Sequence, residues 1–188
     1  RDDVESRGLG DVYKRQDEGG TNRAIYLANV LGLDMGMFYK RRDYTQIVNG
    51  RNPIVAHEFL GSSVEGKDVI IIDDMISSGD SIIEVATELK RRKAKRIFAA
   101  ATFGLFTNGL DKFDQAYEDG TISGILTTNL IYQTPELLSR PYYINCDMSK
   151  YIALIIDTLN HDGSISSILS PDERIQHVLQ KYKNGETI

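Results

Sequence analysis

The spacing of apolar and polar positions changes period repeatedly along the 188-residue chain. Residues 68–72 are continuously apolar after the first and rich in β-branched side chains, as in a strand covered on both faces of a parallel sheet. Residues 81–93 switch to helical spacing, with Ile82, Val85, Ala86 and Leu89 on one side and Glu84, Glu88, Lys90 and Arg91 on the other. Between them, residues 73–79 bring two carboxylates, two serines and a glycine to a strand's carboxyl end and a helix's amino end. Ligands collect at the first position, and backbone N–H groups favour anions at the second.

The rest of the chain repeats the alternation. Residues 17–20 read as a turn before a helix over 21–31, with Thr21 as N-cap and Ala24, Leu27, Ala28 and Leu31 facing the core. A strand over 34–39 delivers Lys40, Arg41 and Arg42 at its end. Residues 43–67 are weakly patterned, with turns at Asn49-Gly50 and Asn52-Pro53 and a short strand over 55–60; so long a connection is usually functional or mobile. Strands are predicted over 96–102, 122–128 and 142–145, helices over 110–117 and 149–160, and a second strand-end loop over 103–109. The pattern predicts a doubly wound α/β fold, a mainly parallel sheet with helices on both faces. Residues 17–169 form this domain, and 170–188 a helical tail that frays after Asn184-Gly185.

Residues 1–16 show neither period. Read back into codons, residues 11–16 can spell GAT-GTG-TAT-AAG-AGA-CAG, which resembles a transposon end used as a sequencing adaptor. The expectation is that residues 1–16 are wholly or partly non-native and that natural sequence begins near Asp17.

Charge and composition narrow the function classes. A net charge of −5 and a pI near 5.2 give no general attraction for nucleic acid or anionic membrane. A lone cysteine, Cys146, cannot form an internal disulfide and fits a reducing compartment. No apolar run approaches the roughly 20 residues of a membrane span, so the expected location is the cytoplasm. His57, His161 and His177 lack metal-ligand spacing.

The loop has the chemistry for a phosphorylated sugar. Asp73 and Asp74 can accept hydrogen bonds from vicinal ribose hydroxyls or reach Mg²⁺, while Ser77, Ser78, Gly79 and Ser81 offer hydroxyl and N–H groups to phosphate. The bland alternative is a capping turn in which Ser78 or Asp80 only caps the next helix.

The stretch from Val69 to Ser81 resembles the phosphoribosyl-pyrophosphate motif shared by type I phosphoribosyltransferases and ribose-phosphate pyrophosphokinases. Four further segments resemble the pyrophosphokinases: Asp17-Glu-Gly-Gly20 their Asp-Ala-Gly-Gly, Tyr39-Lys-Arg-Arg42 their Lys-x-Arg loop start, Thr102-Phe-Gly-Leu-Phe106 their Thr-His-Gly-Leu-Phe, and Thr127-Thr-Asn129 their strand-ending Thr-Asn. The resemblance runs to about Leu169 and implies the carboxyl-terminal half of a protein about twice this size, with a type I phosphoribosyltransferase-like fold.

By that resemblance Asp73 and Asp74 would hold the ribose hydroxyls of ribose 5-phosphate, and Ser77, Ser78, Gly79, Asp80 and Ser81 would wrap its phosphate. Lys40 and Arg42 would steady the transferring diphosphoryl group, Arg23 would contact nucleotide phosphates, and Asp17 would help hold Mg²⁺ with the substrate ATP. Asp80 stands where the family often has glycine. Its side chain is expected to point outward, leaving only its N–H toward the ligand. Phe103 replaces a histidine. The implied activity is ribose-phosphate diphosphokinase, in a family that forms hexamers, with the fragment alone inactive. The alternatives are a type I phosphoribosyltransferase and a non-catalytic regulatory homologue.

Overall fold

A computed structural model of the chain describes residues 9–13, 18–42, 54–169 and 171–186, with side chains for 23–38, 59–166, 168 and 171–186. Five strands form one sheet: β1 (Leu9–Tyr13), β4 (Asp68–Ile76), β5 (Arg96–Gly104), β6 (Gly124–Thr128) and β7 (Tyr143–Cys146), in that spatial order and all parallel. Two more, β2 (Met37–Arg42) and β3 (Ile54–Leu60), form a separate antiparallel pair. Helix α1 (Glu18–Leu31) precedes that pair, α2 (Asp80–Arg91) links β4 to β5, α3 (Asp111–Glu118) links β5 to β6, and the short α4 (Pro135–Leu138) links β6 to β7. Helices α5 (Ser149–Asn160), α6 (Ser166–Leu169) and α7 (Asp172–Asn184) follow.

Both sheet faces carry helix. Val69, Ile71, Ile97, Ala99 and Ile125 pack with Ile82, Val85 and Leu89 of α2 and with Phe113 and Ala116 of α3. Ala24 and Ala28 of α1 cover the opposite face of β4 at Ile70 and Ile72. That two-sided cover is why the strand reads as an unbroken apolar run. Each large side chain fully buried here stabilises the fold by about 1.5–3 kcal/mol.

Helix α2 ends at Arg91, short of the expected residue 93, with Lys90 and Arg91 in its last turn and the Ala94 N–H bonded to the Leu89 carbonyl. Lys93 closes this end with φ of 66°. Arg92 bonds Glu88 and lies 5.9 Å from the Phe38 ring and 5.3 Å from the Phe59 ring, so the base of the β2–β3 pair docks at the carboxyl end of α2.

Several boundaries differ from the sequence expectation. Strand β4 continues to Ile76 rather than stopping at residue 72, because its ladder with β5 supplies backbone partners as far as Ile76–Gly104. Lys40, Arg41 and Arg42 lie within β2 instead of after it, paired with β3. Helix α1 starts at Glu18, which puts Thr21 inside it rather than at its cap. Leu9–Tyr13, expected to be irregular, pairs with β4 as an edge strand. Helices α4 and α6 are too short to show a period.

Candidate sugar-phosphate site

Residues 73–81 run from the carboxyl-terminal half of β4 through the loop at 77–79 into the first turn of α2, beside the carboxyl end of β5. Asp73 and Asp74 lie within the carboxyl-terminal half of β4, followed there by Met75 and Ile76, and strand alternation sends the two neighbours to opposite faces. Asp74 is exposed on the side of α1 and Asp73 is half-buried. The Asp74 N–H donates to Asp73 Oδ1 at 2.8 Å, which folds the Asp73 carboxylate back along the strand. Asp74 is held below the usual carboxylate range, first by its hydrogen bond with the Asp73 side chain, against the opposing push of burial. Backbone N–H groups and the positive charge of Arg23 lower it further. Arg23 itself is exposed on α1.

Gly79 sets the turn into α2. Its φ of 82° is left-handed, and a Cβ there would sit 2.1 Å from Cζ of the buried Phe113 ring. The loop is braced from the β5–α3 connection: the Leu105 N–H donates to the Ile76 carbonyl at 2.8 Å, the Thr107 N–H donates to the Ser77 carbonyl at 3.1 Å, and the Ser77 and Thr107 hydroxyls lie 3.5 Å apart. Thr107 falls in the loop predicted over 103–109. Lys112 and Phe113 did not stand out in the sequence, because only the fold brings α3 against α2.

The Asp80 side chain, expected to point outward, has partners on the protein surface. Its carboxylate is half-exposed, yet it accepts from Ser78 Oγ at 2.9 Å and forms an ion pair with Lys112 of α3. Lys112 first, then Ser78, hold the Asp80 carboxyl below its ordinary range. Ser77 is exposed, and Ser78 and Ser81 are half-buried.

Behind the loop lies a polar network. Buried Thr127 Oγ1 lies 2.6 Å from Tyr143 Oη, which also accepts from Gln133. Asn129 donates to Asp147 and Ser149 and accepts from the Met148 N–H at 2.8 Å, stapling the end of β6 to the start of α5. The strand-ending Thr-Asn therefore has a structural use here.

The remaining expected site residues are only partly visible. The backbones of Lys40 and Arg42 lie in β2, and their side chains are outside the described residues, as is all of Asp17. Among the described residues no three His, Cys, Asp or Glu side chains gather as a metal site. A depression of about 420 Å³ at the far end of α2 includes Phe59, Ser63, Arg92 and Lys93, but Arg92 is paired with Glu88 and Lys93 with Glu65. No described helix is long and apolar enough to cross a membrane.

Residues 44–170 match the family described as phosphoribosyl synthetase-associated domain. The chain belongs to that family. It is 31% identical over 172 residues to a ribose-phosphate pyrophosphokinase of Vibrio parahaemolyticus, covering 90% of this chain and 51% of the relative. A ribose-phosphate pyrophosphokinase of Thermococcus kodakarensis is 34% identical over 134 residues, covering 69% of this chain and 45% of the relative. The chain thus spans about half the length of the relatives it matches. The crystal structure of phosphoribosylpyrophosphate synthetase from Mycobacterium smegmatis superposes with a TM-score of 0.64 at 22% identity, over 84% of this chain and 47% of that one. The fold is therefore the α/β, type I phosphoribosyltransferase-like one.

Proposed function

We propose that this chain is the carboxyl-terminal half of a ribose-phosphate diphosphokinase and supplies its ribose 5-phosphate site. The observation that carries the reading is the strand-to-helix loop. Asp73 and Asp74 stand near the carboxyl end of β4 as acceptors for sugar hydroxyls, and Ser77, Ser78 and the N–H groups opening α2 lie a few residues on as donors for phosphate. Relatives named ribose-phosphate pyrophosphokinase align with 90% of the chain, which supports the same assignment.

In the reaction, the anomeric hydroxyl of bound ribose 5-phosphate attacks the β-phosphorus of ATP. The bond from that phosphorus to the α-phosphate bridge breaks, and AMP leaves with phosphoribosyl pyrophosphate formed. Asp17 would help hold Mg²⁺ carried in with ATP, and the ion would supply charge neutralisation there. Lys40 and Arg42 neutralise the transferring diphosphoryl group, and Arg23 meets the nucleotide phosphates. Positioning and charge suffice without a covalent enzyme intermediate.

The test follows ³¹P NMR of two proteins, the 188-residue chain and the chain extended to the length of its relatives, with Mg-ATP and ribose 5-phosphate. The extended protein should form phosphoribosyl pyrophosphate, whereas the chain alone should bind the sugar phosphate without turnover. Consumption of phosphoribosyl pyrophosphate with a nucleobase, in place of its formation, would overturn the reading in favour of a phosphoribosyltransferase.

A further inference from the structure

Resting on the ribose 5-phosphate reading of the loop, we infer that Asp80 is a built-in competitor for the sugar's phosphate, and that Lys112 is a phosphate ligand released to it when the carboxylate is displaced. The Asp80 carboxylate takes the Ser78 hydroxyl at 2.9 Å and the Lys112 ammonium, the two kinds of donor a phosphate oxygen would take. The carboxylate therefore stands where the loop's own donors converge.

Lys112 has no helical reason to be where it is. It lies in the first turn of α3, at the positive end of the helix dipole, where a cation is disfavoured. The nearby Asp114 is already engaged by Arg140 and Tyr142. Among the described residues, Lys112 is the cation in contact with the 77–80 segment; Arg23 acts on Asp74. A phosphate dianion entering between Ser78 and the start of α2 meets two serine hydroxyls and N–H groups but no net charge while Lys112 is tied to Asp80. Both partners are about half exposed, so the Asp80 side chain can turn to solvent as the ammonium passes to the phosphate. Because a tethered carboxylate must be displaced, the loop selects a doubly charged phosphate ester over singly charged ligands.

The test is calorimetric titration of the 188-residue chain with ribose 5-phosphate, with ribose as the uncharged control. The variants are Asp80→Asn, Asp80→Gly, Lys112→Gln and the Asp80→Asn/Lys112→Gln pair, each checked for fold by circular dichroism. Removing the competitor should tighten ribose 5-phosphate by about fivefold, the scale of a half-exposed ion pair, and leave ribose unchanged. Lys112→Gln should weaken ribose 5-phosphate roughly tenfold, in the Asp80→Asn background as well as in the parent. Binding that is no tighter in the Asp80 variants, or a Lys112→Gln change with no effect once Asp80 is Asn, would overturn the exchange while leaving the sugar-phosphate site intact. Failure of every variant and the parent to bind ribose 5-phosphate would instead bring down the site assignment and this inference with it.

Discussion

Gly79→Ala tests whether the loop geometry is set by packing between helices. The substitution adds one methyl group at a φ of 82°, where a left-handed conformation costs an L-residue about 1–2 kcal/mol. That methyl also meets the Phe113 ring, with Cζ, Cε2 and Cε1 at 2.1, 2.8 and 2.9 Å. The ring cannot retreat freely, since it is 1% exposed and set edge-on to Phe106 at 5.1 Å. Overpacking of this kind costs about 1–3 kcal/mol, so the total loss should be about 2–5 kcal/mol. Gly120→Ala provides the control: its φ is 74° and nothing lies within 4 Å of the added methyl, so only the backbone cost of about 1–2 kcal/mol applies. Urea unfolding of both variants, followed by circular dichroism, gives the difference directly. Equal losses at the two glycines would refute the packing argument and leave Gly79 as a turn residue only.

Three further outcomes follow from the structure and the proposed chemistry. Asn129→Ala removes the staple between β6 and α5, so it should cost about 1–3 kcal/mol and speed amide hydrogen exchange in α5 selectively; uniform exchange would count against it. Asp68 titrates low because Arg96 bonds its carboxylate, and Asp114 titrates low because Tyr142 and Arg140 outweigh the upward push of burial. The folded chain then binds fewer protons at these groups, so their stabilisation is full above the unfolded value of about 3.9 and is lost as pH falls through the lower folded values. Asp68→Asn should flatten the acid loss of the urea midpoint, and an unchanged acid slope would contradict it. In the extended enzyme, Lys40→Ala should depress turnover far more than ribose 5-phosphate binding, and an unaltered turnover number would remove Lys40 from the reaction.

Local pattern was enough for the class of fold and for the place of the loop. A β-branched run buried on both faces and a stripe of Ile82, Val85, Ala86 and Leu89 leave little choice but a parallel strand feeding a helix, and Ser149–Asn160 emerged with the bounds its stripe predicted. Boundaries depended on partners instead. The two carboxylates looked like the end of β4, yet its ladder with β5 carries the strand on to Ile76, and backbone pairing is indifferent to which side chains ride on it. The same holds for Lys40, Arg41 and Arg42, which β3 keeps in a strand.

The candidate site divides in the same way. Its acids, serines and glycine are contiguous, so the sequence by itself displayed them together. That Gly79 must be glycine because of Phe113, that Thr107 braces Ser77, and that Lys112 faces Asp80 all depend on residues about 30 positions away along the chain. Such contacts carry no local period, and only the docking of α3 beside the start of α2 brings those charges and rings to the loop over residues 77–79.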